Sequence, residues 1–138
     1  MYVQVGYYPD ARRLAELAAR LNPKPSEQGY CTTDRDATYE LYYPHFKDTF
    51  LNKWDKCFLA IIWANGSIPP HTDGDSILGG TQRFQVVLQT NANSWVMHGG
   101  DWQQLVEGGI YTMRPDVTHA SINWGGEPRI NLIVDVLP

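Results

Sequence analysis

Cys57-Phe58-Leu59-Ala60-Ile61-Ile62-Trp63-Ala64, then Asn65-Gly66, then Ser67-Ile68-Pro69-Pro70-His71-Thr72-Asp73-Gly74, is the stretch from which the fold is read. A short apolar run, an Asn-Gly turn signal and a second short run with no helical period together describe two strands joined by a turn. The same grammar continues to the C-terminus. Further strands are expected over Gln82 to Thr90, Ser94 to His98, Trp102 to Val106, Ile110 to Met113, Thr118 to Asn123 and Ile130 to Leu137. The breaks between strands hold Gly79-Gly80, Asn91-Ala92-Asn93, Gly99-Gly100-Asp101, Glu107-Gly108-Gly109, Arg114-Pro115-Asp116 and Trp124-Gly125-Gly126. Eight short strands with Gly-rich turns predict a mainly β fold, a double-stranded β-helix or jelly roll, over residues 57–138.

Residues 1–56 read differently, as a helical and loop cover. Val3 and Val5 alternate with Gln4 and suggest a brief edge strand. Asp10 is a candidate N-cap for a helix whose Leu14, Leu17, Ala18 and Leu21 fall at helical spacing, stopped by Asn22-Pro23. Residues 24–37, from Lys24 to Ala37, are rich in Pro, Ser, Gly, Thr and Asp without a period, and predict a loop over a site. A second short helix is expected near Phe46 to Trp54, with Phe46, Phe50, Leu51 and Trp54 on one side. At 138 residues the whole chain, 1–138, is expected to be one domain.

Composition excludes several classes of function. A formal charge of −4 without a Lys/Arg cluster argues against a nucleic-acid partner bound by phosphate neutralisation. The longest apolar run is too short to cross a bilayer, and no basic region precedes an apolar block at the N-terminus, so no membrane role is expected. Two cysteines, Cys31 and Cys57, make no disulfide framework. Free thiols and a cytoplasmic location follow as expectations.

The chemistry begins at His71-Thr72-Asp73. Side chains two apart on an extended segment point to the same side, so this histidine and carboxylate can grip one ion. The spacing alone is weak evidence: with 4 His and 15 Asp+Glu in 138 residues, composition supplies roughly 0.4 such pairs by chance. A second histidine from a distant strand would complete the two-histidine, one-carboxylate set that leaves adjacent metal positions open and suits non-haem Fe(II) oxygenases. His119 is the candidate third ligand. His45 and His98 have no partner at ligand spacing, although His98 before Gly99-Gly100 is a candidate substrate contact. Asp75, beyond Gly74, is read as solvent-facing.

The last two strands are read as a hairpin. If its loop is odd, for example Gly125 to Glu127, then His119 faces Ile133 and Arg129 shares the face of His119 at roughly 13 Å along the strands. A metal-bound histidine, a five-carbon dicarboxylate and an arginine stem would fill that gap. An even loop would send Arg129 to the opposite face.

These residues carry a resemblance. Pro70-His71-Thr72-Asp73, the run Arg83-Phe84-Gln85-Val86-Val87-Leu88-Gln89-Thr90-Asn91, Glu107-Gly108-Gly109, and His119 followed ten positions later by Arg129 and then by Leu132-Ile133-Val134-Asp135-Val136 are similar to the 2-oxoglutarate and Fe(II)-dependent oxygenases, within them the aspartyl/asparaginyl β-hydroxylase-like group. The resemblance spans about half the chain. It implies a cupin-like jelly roll in which His71, Asp73 and His119 hold iron, Arg129 binds the distal carboxylate of 2-oxoglutarate, and Arg83 is a second contact for that co-substrate. It implies a dioxygenase that uses O2, with ascorbate as a supporting reductant, and turns 2-oxoglutarate into succinate and carbon dioxide while hydroxylating an unactivated C–H bond. The expected substrate is an amino-acid residue in a peptide or protein, or a free amino acid. Two positions depart from relatives: Asp73 stands where some aspartyl hydroxylases have glycine, and Gln85 where a histidine is common. Because Asp73 fills the place that halogenases leave open for chloride, hydroxylation is the expected outcome.

A rival reading from another class is a cupin-like module that binds a sugar or small acid without redox chemistry. That module would not need His71, Asp73 and His119 together. A metal-dependent isomerase or thiol dioxygenase on the same scaffold usually has more histidine ligands. Trp63, Trp95, Trp102 and Trp124 are read as core or rim.

Overall fold

Alternation along each strand lets one sheet present two unlike faces, and this fold is built on that property. The computed structural model describes residues 1–74 and 80–138; Asp75 lies outside the described residues. The larger sheet is antiparallel and runs in the order β1 (Val3–Tyr7), β8 (Gly109–Thr112), β5 (Gln82–Gln89), β10 (Arg129–Val136), β3 (Trp54–Ile62), β2 (Tyr30–Thr32). The smaller sheet runs β4 (Gly66–His71), β9 (His119–Asn123), β6 (Ser94–His98), β7 (Asp101–Gln103). The two form a jelly roll. Each of the eight strands expected between residues 57 and 138 is present, and Val3–Tyr7 is an edge strand as expected.

The outer face of the larger sheet is apolar. Cys57, Leu59 and Ile61 of β3, Phe84, Val86 and Leu88 of β5, and Ile130, Leu132 and Val134 of β10 pack in one cluster with Leu14, Ala18, Tyr42, Phe46 and Leu51 from the N-terminal cover. Those cover residues come from α1 (Ala11–Glu16) with its 3-10 continuation Leu17–Leu21, from α2 (Arg35–Tyr42), and from the segment that follows. The inner face differs along its length. Tyr2, Val87, Val96, Leu105, Tyr111 and Met113 fill one part of the space between the sheets. The remainder stays open, and polar side chains such as Arg83, Gln85, His119 and Arg129 share its walls with apolar ones.

Three expectations are corrected. Residues 24–37 are not one loop, because they contain β2 and the start of α2. Asp34 caps α2 by accepting a bond from the Ala37 N–H at 2.9 Å. The helix escaped notice since only Thr38 and Tyr42 of it are buried, which leaves almost no apolar period. The second correction concerns Phe46 to Trp54, which is not helical: a 3-10 turn at Tyr43–His45 is followed by turns, and Trp54 opens β3. Phe46, Leu51 and Trp54 are buried, but Phe50 is 55 % exposed. The Thr49 hydroxyl donates to the Phe46 carbonyl at 2.6 Å and accepts from the Leu51 N–H at 3.1 Å, a local bonding pattern that competes with helix.

The third correction is the last hairpin. β9 pairs with β4 and β6, whereas β10 pairs with β3 and β5, so residues 124–128 cross from one sheet to the other and β9 and β10 share no ladder. Buried Asn123 pins the crossing: its amide donates to the carbonyls of Ile62 (2.9 Å) and Glu127 (2.8 Å), and its oxygen accepts from the Gly125 N–H (3.0 Å). Loop parity therefore does not decide where Arg129 points.

Candidate metal centre and its cavity

The open part of the inner space is a cavity of about 350 Å³ between the two sheets. Alternation explains its walls: Phe58 and Ala60 of β3, Arg83 and Gln85 of β5, Arg129 and Ile133 of β10 face His119 and Ser121 of β9. His71 reaches the same space through an irregularity. Between β4 and β9 the register runs Ile68↔Ser121 and then His71↔His119, so one extra residue on β4, at Pro69-Pro70, turns His71 inward. Proline lacks the N–H that a regular ladder would require there.

His71 and His119 are thus direct cross-strand partners, with ring centroids 4.3 Å apart. Each ring is oriented by the same device. Nδ1 of His71 lies 2.8 Å from the Pro69 carbonyl, and Nδ1 of His119 lies 2.8 Å from the Val117 carbonyl. A carbonyl only accepts, so each Nδ1 carries the proton and each Nε2 is left to act as a ligand, the arrangement typical of metal-binding histidines. Both Nε2 atoms converge on Oδ2 of Asp73, at 3.4 Å from His71 and 3.1 Å from His119. The Asp73 N–H donates to the Pro115 carbonyl at 2.7 Å, which ties the segment after β4 to the loop before β9. When the rings carry a second proton on Nε2 in place of a metal, the hydrogen bond that His119 then donates, with the charges of His71 and Arg83 in support, holds the Asp73 carboxyl below the usual carboxylate range against the opposing effect of burial.

One ligand atom from each of His71, Asp73 and His119 lies within 4.8 Å of the others. Neighbouring ligands around an octahedral ion with bonds of ~2.1 Å stand about 3 Å apart. The donor set, its spacing and the bonded Nδ1 atoms fit a divalent ion.

The two arginines of the cavity differ. Arg83 is 8 % exposed and Arg129 4 % exposed. Arg83 faces Asp135 across β5 and β10 and binds it in two places, at 2.8 and 3.0 Å, while its third nitrogen donates to Asp73 at 3.1 Å. Burial alone would depress the Arg83 pKa; its ion pairs with Asp135 and Asp73 outweigh burial and raise it. Arg129 meets no carboxylate among the described residues. Its Nη1 donates to the Ser121 hydroxyl at 3.3 Å, its Nε has no partner among the described residues, and burial pushes its pKa down to about 10, which leaves it charged at neutral pH. The conclusion that Arg129 and His119 share a site stands, though they do so from opposite sheets. Near them, the Asn131 amide donates to Gln85 at 2.9 Å, and the Gln85 amide reaches the Tyr2 hydroxyl at 3.4 Å.

Sequence reasoning missed Asp135, Tyr2, Ser121 and Asn131. Asp135 left a readable signal, a lone acid inside the apolar run Leu132-Ile133-Val134-Asp135-Val136. His98 lies outside this cavity and meets the Arg114 carbonyl at 3.0 Å. Trp63 and Trp95 are half-buried, Trp102 and Trp124 are exposed, and none of the four lines the cavity.

The family model of the aspartyl/asparaginyl beta-hydroxylases matches residues 35–138, three quarters of the sequence and every strand that builds the cavity except β2 and the edge strand β1. The chain belongs to the aspartyl/asparaginyl β-hydroxylase family. Structural comparison supports the architecture. A cupin domain of an XRE-family transcriptional regulator from Enterobacter cloacae superimposes with a TM-score of 0.52 at 16% identity, covering 80% of this chain and 99% of that one. The protein TT1209 from Thermus thermophilus gives 0.53 at 12% identity, covering 88% and 95%. At such identities both likenesses show the fold alone, which in the first is that of a cupin domain. A search of curated protein sequences finds no match. No helix among the described residues is long and apolar enough to cross a membrane.

Proposed function

We propose that this β-hydroxylase family member is an Fe(II)- and 2-oxoglutarate-dependent dioxygenase that hydroxylates a C–H bond of an amino-acid residue or a free amino acid. The observation that carries the reading is the pairing, in one cavity, of a two-histidine, one-carboxylate cluster with a buried arginine that has no carboxylate partner among the described residues. A buried guanidinium without a counter-ion is costly, and a ligand carboxylate relieves that cost.

In this reading His71, Asp73 and His119 would hold the metal. The bound iron supplies the coupling of 2-oxoglutarate decarboxylation, which yields succinate and carbon dioxide, to transfer of one oxygen atom of O2 into the substrate C–H bond. Arg129, assisted by the Ser121 hydroxyl, holds the distal carboxylate, because the planar guanidinium matches a carboxylate in two bonds at once. Ile68, Phe58 and Ile133 give the cavity an apolar wall beside these polar groups. The free thiols Cys31 and Cys57 suit the reducing cytoplasm, where we place the protein.

The test is an anaerobic titration with Fe(II) and 2-oxoglutarate followed by visible absorption. A charge-transfer band that needs both additions is expected in the wild-type protein, with loss of the band in His71→Ala and His119→Ala. Slow succinate formation under air, with Fe(II) and ascorbate and without a primary substrate, should accompany it. Metal binding with neither band nor succinate would leave a non-redox binding module as the better description.

A further inference from the structure

Arg83 stands directly across from Asp135, and both are buried, at 8 % and 1 % exposure. Its Nε and Nη2 donate to the two oxygens of Asp135, at 2.8 and 3.0 Å. This pair of hydrogen bonds to a sheet residue fixes the plane of the guanidinium. The remaining nitrogen, Nη1, therefore has a set direction, and it donates at 3.1 Å to Oδ2 of Asp73, the oxygen on which both imidazoles converge.

We propose that Arg83 is a positioning residue for the metal ligand Asp73, held rigid by Asp135. The proposal rests on the metal-site reading above. It follows from where the three ligands sit. His71 and His119 lie on paired strands, and each ring is bonded to a backbone carbonyl. Asp73 lies beyond the end of β4, outside any strand ladder, with a side chain about as exposed as that of His71 (38% against 37%). A carboxylate at the open edge of the site gains most from an arm that reaches it out of the sheet. The contrast with Arg129 supports this division of labour, since the guanidinium of Arg83 already meets two carboxylates and that of Arg129 meets none among the described residues.

Electrostatics gives the proposal a distinctive sign. A lone cation beside a ligand oxygen repels a divalent ion, so if charge were its whole effect, removing Arg83 would tighten metal binding. Asp135 cancels that charge, which leaves orientation as the contribution of the pair. Loss of an outer partner of a metal ligand typically weakens binding by roughly 10–100-fold.

The experiment uses the full chain and Mn(II) alone, without 2-oxoglutarate, with free Mn(II) followed by its paramagnetic resonance signal. The charge-neutral double variant Arg83→Met/Asp135→Leu removes the arm and leaves no buried ion behind. Its Mn(II) affinity should fall about 10–100-fold although the net charge of the site is unchanged. Arg83→Lys keeps the charge and loses the rigid fork, so it should weaken Mn(II) by about tenfold. Thermal melts confirm that each variant is folded, and Arg83→Lys decides the matter should the double variant not fold. Mn(II) binding equal to or tighter than wild type in a folded variant overturns the proposal, as does an Arg83→Lys protein that keeps Mn(II) affinity and loses only 2-oxoglutarate. If the wild-type protein binds no Mn(II), or His71→Ala binds it as well, the metal-site reading fails instead.

Discussion

The two faces of the larger sheet share one backbone and differ in nearly everything else. On β10, Ile130, Leu132 and Val134 point to the helical cover, while Arg129, Asn131, Ile133 and Asp135 point to the cavity side. The outer face buries apolar surface at about 25 cal/mol per Å², and polar atoms in its cluster are bonded, the Tyr42 hydroxyl to the Leu14 carbonyl and the Trp54 indole N–H to the Leu51 carbonyl. The inner face buries Arg83, Gln85, Arg129, Asn131 and Asp135 from β5 and β10, and two polar atoms of this set, Arg129 Nε and Asn131 Oδ1, have no partner among the described residues. The outer face therefore stabilises the fold. The inner face costs stability that the outer face offsets, which is the signature of a surface shaped for a ligand.

The sharpest way to break this comparison is Arg129→Met. Removing one partner of a buried charged pair costs about 3–5 kcal/mol, so 2-oxoglutarate affinity should fall roughly 10²–10⁴-fold at ~1.4 kcal/mol per decade, read from the charge-transfer band at graded co-substrate concentration. The free protein should become more stable by about 1 kcal/mol or more, because an unpaired buried ion is replaced by an apolar chain. Urea unfolding reads that change. A destabilised Arg129→Met protein would mean that Arg129 belongs to the fold and not to a ligand.

Leu132→Ala tests the other face. Leu132 is fully buried under the cover, and its truncation should cost about 2–5 kcal/mol in urea unfolding. Mn(II) affinity should stay within about twofold, since residues 131 and 133, not 132, face the cavity. A matching loss of metal affinity would show that the two faces are not independent.

Much of this division was legible in the sequence, and its gaps have physical causes. The strands stood out because Gly and Asn breaks cut the chain into short runs, and the ligand atoms of His71, Asp73 and the nominated His119 do lie within 4.8 Å of one another, although Asp73 stands past the end of β4 where strand alternation no longer applies. The course of residues 124–128 was not legible. A Gly-rich link after an alternating strand can fold back within a sheet or cross to the other, and what decides here is the bonding of the Asn123 side chain to distant carbonyls. Nor was the inward turn of His71, which depends on an added residue at Pro69-Pro70 relative to β9. Strict alternation from Ile68 would have placed His71 on the opposite face.

Metal loading should sharpen the contrast at a slightly smaller scale. An ion that binds only the native state stabilises it by about 2.7 kcal/mol at a hundredfold excess over its dissociation constant. Mn(II) at that excess should raise the urea midpoint of the wild-type protein and of Leu132→Ala by the same free energy. His71→Ala should show no shift, and chelation should reverse it in the other two. A smaller gain in Leu132→Ala would again couple the faces.

The smallest effect is expected where the cover is joined to the jelly roll by charge. Arg12 of α1 pairs with Glu107 at 2.7 Å and with Glu127 at 2.8 Å. The three side chains are 45%, 35% and 57% exposed, so water screens both bonds, and exposed pairs of this kind contribute about 0.2–1 kcal/mol. Arg12→Ala should therefore lower stability by no more than about 1 kcal/mol, with the difference shrinking as salt is raised through the range where the screening length falls below ~8 Å. Neither Mn(II) nor 2-oxoglutarate affinity should change. A loss comparable to that of Leu132→Ala, or one insensitive to salt, would mean that the cover is held by its ion pairs and not by the apolar face of the sheet, and the contrast between the two faces would lose its energetic basis.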